Sequence, residues 1–166
     1  MYDDLSSGAV KALKYSGKLY LAEPIARFMY AVHKEMFLNS DYITFVPMTK
    51  QKREARGYNH MEEVAKILSN ISNVPILECF EKVKDTEDQA SLNYEKRTQN
   101  LKGSLVIRND LKDVIRGKKI LVVDDVFTTG STANECAKLL LKSKACLVDV
   151  ATFLKTDPYA ERDFEI

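Results

Sequence analysis

The sequence predicts an α/β fold in which a central, mainly parallel sheet is covered by helices on both faces. Three observations carry that expectation. Strand-like and helix-like patterns alternate along most of the 166 residues, as parallel strands require, because their crossovers are usually helical. The run Ile120-Leu121-Val122-Val123 is apolar at every position, so it reads as a strand buried on both faces. Directly after it the chain turns polar, through two acids and a hydroxyl-rich loop, before a helical pattern resumes at residue 132.

Taken in order, residues 5–15 and 18–39 read as helices. In the second, Leu19, Ala22, Ile25, Ala26, Met29, Tyr30 and Val32 recur at helical spacing. His33, near its end, has no acid or cysteine spaced to join it as a ligand, which makes it a surface or helix-terminal residue. Residues 42–47 form a β-rich run ending at Pro47, a strand entering a loop. The loop 48–59 is polar and basic, and Asn59 is placed to cap a helix reaching to about residue 70. Residues 75–84 read as a strand, 85–91 as a polar loop, 94–100 as a short helix and 104–107 as a further strand. Gly117 turns the chain into the run at 120–123. A helix over 132–142, a strand over 146–154 and a polar tail complete the sequence. No repeat, low-complexity tract or linker interrupts this pattern, so residues 1–166 read as one domain.

Composition excludes several functions. With 45% hydrophobic and 30% charged residues the chain is globular. Its net charge of +1 gives no bulk footprint for nucleic acid or membrane surfaces. Cys79, Cys136 and Cys146 are far apart and form no C-x-x-C, so neither a zinc site nor a disulfide framework is predicted. Cys136 and Cys146 are expected to be buried small hydrophobes. No apolar run is long enough to be inserted in a membrane, and no signal-peptide core is evident. A reducing, cytoplasmic location is the expectation.

The chemistry concentrates after the apolar run. In an open α/β sheet, ligands bind beyond the carboxyl ends of the strands, where Asp124 and Asp125 stand. The following loop offers backbone N–H groups, the hydroxyls of Thr128, Thr129, Ser131 and Thr132 around Gly130, and a helix N-terminus. Together these form an anion site. Carboxylates able to hold vicinal hydroxyls, set just before a phosphate cradle, point to a ribose 5-phosphate. Ser131 or Thr132 acting only as an N-cap would explain one hydroxyl but not the paired acids. The loop is not a P-loop, since G-x-x-x-x-G-K-[ST] is absent, and no G-x-G-x-x-G dinucleotide fingerprint occurs. A basic cluster, Lys50, Lys52, Arg53 and Arg56, follows the strand at 42–47. At the same end of the sheet it could hold a pyrophosphate through charge-assisted hydrogen bonds. A solvated loop with Glu54 as internal counterion would have the same composition.

The string VVDDVFTTGST at 122–132 closely resembles the phosphoribosyl pyrophosphate (PRPP) motif of type I phosphoribosyltransferases. Val46-Pro47 followed by Lys50, Arg53 and Arg56-Gly57-Tyr58-Asn59 is similar to the V-P-…-R-G-[FY]-N segment of ComF-type competence proteins. Gln89-Ala90-Ser91-Leu92 followed by Arg97, Asn100 and Gly103 is similar to their Q-x-x-L…R-x-x-N-x-x-G segment. Order and spacing match over almost the whole chain. The sequence departs at His60, where that family usually has Gln, and at Leu105, where it usually has Phe. It also contains no counterpart of the four-cysteine zinc module with which ComF proteins commonly begin.

The resemblance implies a type I phosphoribosyltransferase fold, a central sheet of about five strands with helices on both faces and a small hood. It implies that Asp124 and Asp125 contact the ribose 2′- and 3′-hydroxyls and lie with Mg2+, while Thr128, Thr129, Gly130, Ser131 and Thr132 wrap the 5-phosphate. Met48, Thr49 and Lys50 would form the pyrophosphate loop, with Arg53, Arg56 and Asn59 beside it. Arg97 would act from a lid at 85–100 that closes over the substrate. The implied reaction displaces pyrophosphate from C1 of PRPP, with the acceptor unspecified. Thr128 stands where purine-salvage members carry an Asp that assists the base nitrogen, so ordinary hypoxanthine or guanine salvage is not expected. Nor is the lysine-rich loop of orotate phosphoribosyltransferases evident. His60 is expected to cap or hydrogen-bond locally.

ComF-type proteins are also associated with natural transformation, the uptake of single-stranded DNA by the competence machinery. On that implication the domain binds its ligand without turnover as an accessory factor. Basic residues at 50–56 and 116–119, with Tyr58 as a stacking platform, would contact the strand.

Overall fold

The computed structural model describes residues 8, 10–13, 17–49, 51, 53–54, 57–83 and 103–155. In chain order its main elements are α1 (Ala22–Leu38), β1 (Tyr42–Phe45), α2 (His60–Ser72), β2 (Phe80–Lys82), β3 (Leu105–Ile107), α3 (Lys112–Ile115), β4 (Lys119–Phe127), α4 (Ser131–Lys142) and β5 (Leu147–Lys155). The sheet order is β1-β4-β5. Both pairings are parallel, from Tyr42↔Ile120 to Phe45↔Val123 on one side and from Lys119↔Leu147 to Phe127↔Lys155 on the other. The expected α/β architecture is present.

Two strand expectations need correction. The run at 75–84 divides: Ile76 forms an isolated parallel bridge beside Ile43, while β2 joins β3 in a separate antiparallel pair. The central strand is also longer than its apolar core. β4 continues through Asp124 and Asp125 to Phe127, because β5 supplies ladder partners beyond the point where β1 stops.

Alternation along β4 builds two cores. Leu121 and Val123 pack with Ile43, Phe45 and Ala151 beneath Ile25, Ala26 and Met29 of α1 and Val64, Ala65 and Leu68 of α2. Ile120 and Val122 face the other way, toward Cys136 and Leu140 of α4, Ile115, and the β2–β3 pair. A strand clad on both sides has no wet face, which is why 120–123 carries no polar residue. β4, α4 and β5 form one β-α-β unit.

α1 is not regular throughout. His33 leaves helical geometry (φ −110°, ψ 21°) and its Nε2–H donates to the Thr152 carbonyl at 3.1 Å. It is half-buried and ties α1 to β5 rather than lying free on the surface. Asn59 caps α2 as expected, its Oδ1 accepting from Met61 N at 3.1 Å. An Asn59→Ala variant is expected to lose about 1 kcal/mol, read from the urea midpoint. No helix among the described residues is long and apolar enough to cross a membrane.

Candidate functional site

The topology sets two loops side by side at the carboxyl ends of β1 and β4. β1 leads toward α2, which lies on one face, and β4 leads into α4, which lies on the other. Adjacent parallel strands whose following helices diverge to opposite faces cannot close over their own carboxyl ends. The loop after β1 and the loop after β4 therefore flank one opening, and the parallel register places Asp124 and Asp125 just past the end of β1.

The two carboxylates do not share an environment. Since successive strand side chains point to opposite faces, Asp125 continues the row of Leu121 and Val123 and Asp124 that of Ile120 and Val122. Asp125 is buried, and its Oδ2 accepts from His60 Nε2 at 2.7 Å. His60, the first residue of α2, is equally buried, so the expectation of a merely local contact or cap is corrected: it reaches across 65 positions of sequence. Asp124 is half-exposed on the α4 side, where its Oδ1 accepts from Asp125 N at 2.9 Å.

The loop that follows turns on Gly130, which is the N-cap of α4 at φ 73° and ψ 2°. The N-cap is therefore neither Ser131 nor Thr132, and the Ser131 N–H donates to Thr129 Oγ1 at 3.4 Å. A helix N-terminus of this kind is a favourable place for an anion. Thr129 Oγ1 and Ser131 Oγ lie 2.8 Å apart, linking two of the hydroxyls across the glycine. Thr128, Thr129, Ser131 and Thr132 are all half-buried.

From the first loop, Thr49 is buried and Met48 half-buried. The Arg53 N–H donates to the Thr49 carbonyl at 2.9 Å, and its guanidinium pairs with Glu62 of α2 at 3.0 Å. Arg53 is thus brought to the site's border with its charge already offset. Asn59 is buried and engaged as a cap. Lys50, Lys52, Arg56 and Arg97, with the lid expected at 85–100, lie outside the described residues.

Residues 25–164 match the phosphoribosyl transferase domain. The chain belongs to this family. It is 30% identical over 139 residues to Competence protein F of Haemophilus influenzae, covering 80% of this chain and 60% of that protein. It is 28% identical over 156 residues to the DNA utilization protein YhgH of Escherichia coli K12, covering 90% of this chain and 67% of the relative. The chain thus spans less than two thirds of the first relative's length. A solved adenine phosphoribosyltransferase has the same fold, with a TM-score of 0.54 over 87% of this chain and 76% of that one at 18% identity. The ComF-type resemblance and the type I fold both hold.

The three cysteines differ from one another in exposure. Cys79 and Cys136 are buried, but Cys146 is exposed, correcting the expectation that it packs in the core: β5 begins one residue later, at Leu147. Burial pushes both inner thiols above their ordinary value of 9.0, and the nearby Asp124 carboxylate adds to the rise at Cys136. A thiol reagent should therefore titrate Cys146 alone in the native protein and all three cysteines after unfolding. The sign of the pH effect follows. Below pH 9.0 these thiols are protonated in both states, while above it the unfolded chain releases protons that the fold retains. Stability should fall as pH rises past that value, by on the order of 1 kcal/mol per pH unit for each buried thiol.

Proposed function

We propose that this phosphoribosyl transferase domain binds PRPP, or a closely related phosphoribosyl ligand, with Mg2+ in the crevice between β1 and β4. As an enzyme it displaces pyrophosphate from C1. The carrying observation is the divergence of α2 and α4 at the carboxyl ends of β1 and β4, with a glycine-started helix N-terminus and a half-exposed carboxylate between them. In this reading the first-turn N–H groups of α4 and the Thr128 hydroxyl hold the 5-phosphate. Asp124 accepts from a ribose hydroxyl, and Asp125, anchored by His60, orients the sugar from the α2 side. The backbone at Met48 and Thr49 faces the pyrophosphate. The C1–O bond to pyrophosphate breaks with its electron pair leaving on the pyrophosphate, while the acceptor forms the new bond to C1.

The donor set suits Mg2+. Among the described residues no cluster of three or more His, Cys, Asp or Glu side chains could cage an ion, and Mg2+ commonly takes only one or two carboxylates, its other positions filled by water and substrate phosphates. Asp124 is the carboxylate placed for this, and Asp125 is held by His60. When bound, the ion would offset charge on the departing pyrophosphate.

A second reading is favoured by the relatives' names, which speak of competence and DNA utilization. The domain would then hold its ligand without turnover and assist single-stranded DNA. Among the described residues of that contact set, Lys118 and Lys119 lie at the amino end of β4 and Arg53 beyond the carboxyl end of β1, at opposite ends of the strand pair. Tyr58 donates its hydroxyl to the Leu13 carbonyl at 2.8 Å, which limits it as a stacking platform.

Pyrophosphate release from Mg·PRPP with any member of a panel of bases and amines supports transfer. Ligand binding without release, together with salt-sensitive retention of a single-stranded oligonucleotide, supports the accessory role. A folded protein that neither binds PRPP nor releases pyrophosphate overturns both.

A further inference from the structure

We propose that His60 is a positioning residue for the phosphoribosyl site, fixing the Asp125 carboxylate so that it can orient the sugar. The inference deepens the PRPP reading and rests on it. His60 and Asp125 are 7% and 8% exposed, and they meet at 2.7 Å between the first residue of α2 and the end of β4. Because a carboxylate only accepts, Nε2 carries the proton in this contact. The other ring nitrogen, Nδ1, is buried and has no hydrogen-bond partner among the described residues.

Such an arrangement is poor at stabilising a fold. Burying a charged partner is costly, and so is leaving a ring nitrogen unsatisfied. An apolar pair would cement α2 to β4 at least as well. Local inconsistency of this kind is expected where function sets the residue choice. Its place supports the same conclusion: the contact spans the two elements that border the crevice. The carboxylate of Asp125, on the same face as Leu121 and Val123, is thus held at the strand end by α2.

The chain has only two histidines, so nitrogen-detected NMR assigns them readily. The ligand-free protein should show His60 with its proton on Nε2, and Mg·PRPP should shift that resonance while sparing His33. Replacing His60 by leucine should weaken Mg·PRPP by about 10- to 100-fold, as loss of an orienting partner does at comparable sites. His60→Gln, whose amide can still donate to the carboxylate, should restore affinity to within about threefold of the parent. Circular dichroism establishes that each variant is folded. If His60→Leu folds and binds as tightly as the parent, or if the parent binds Mg·PRPP with no response from His60, the positioning role is overturned. If the parent protein binds no Mg·PRPP at all, the phosphoribosyl reading fails, and this role with it.

Discussion

A His60→Leu substitution is expected to lower stability by about 3–5 kcal/mol, since it strands the buried Asp125 carboxylate without its partner. The informative companion is the double variant His60→Leu with Asp125→Val. Removing both members replaces a desolvated polar pair by apolar side chains of similar volume, which is commonly neutral or stabilising. Urea unfolding should therefore show a large loss in the single variant and near-complete recovery in the double. If the double variant stays as unstable as the single, the pair holds the fold together. The conclusion that function retains it would then be wrong.

Gly130→Ala should cost about 2–3 kcal/mol, from two separable causes. The backbone there is left-handed at φ 73°, which an L side chain adopts at a cost of about 1–2 kcal/mol. A Cβ would also stand 2.7 Å from Cζ and 3.3 Å from Cε2 of Phe127. That ring is the far end of a side chain and can yield, but in yielding it shifts the wall of the loop. Placing Gly130→Ala in a Phe127→Ala background removes the collision and leaves the backbone cost. The residual destabilisation in that background, relative to Phe127→Ala alone, should be about half of the original effect. No residual would show that the left-handed turn is not required.

The fold was legible because burial on both faces leaves a mark that no other structure needs. Four apolar residues in a row at 120–123 forced a central parallel strand, and the helical spacing of Ile25, Ala26 and Met29 forced a helix over it. Local chemistry was legible too: Asn59 caps α2, and Gly130 occupies the one position in its loop that demands a glycine. What was missed depends on contacts distant in sequence. Nothing near His60 announces Asp125, 65 residues away. The spacing of the acids carries a further signal. If the strand continues through residues 124 and 125, its period of two must send the adjacent acids to opposite faces, so they cannot play equivalent roles. The run at 75–84 divides because Pro75 and Leu77 hydrogen-bond Ile43 of the main sheet, while Phe80 pairs instead with Ile107. Cys146 adjoins an apolar strand in sequence, which suggests the core, yet it belongs to the turn before that strand.

On the function proposed above, the hydroxyl-lined turn at Gly130 and the carboxylate of Asp124 hold a phosphoribosyl ligand. Isothermal titration of the folded protein with Mg·PRPP should then give saturable one-to-one binding, weakened about tenfold or more in Asp124→Asn, as when a charge-assisted hydrogen bond is lost. Absence of heat at millimolar ligand, or equal affinity in the variant, would overturn that function.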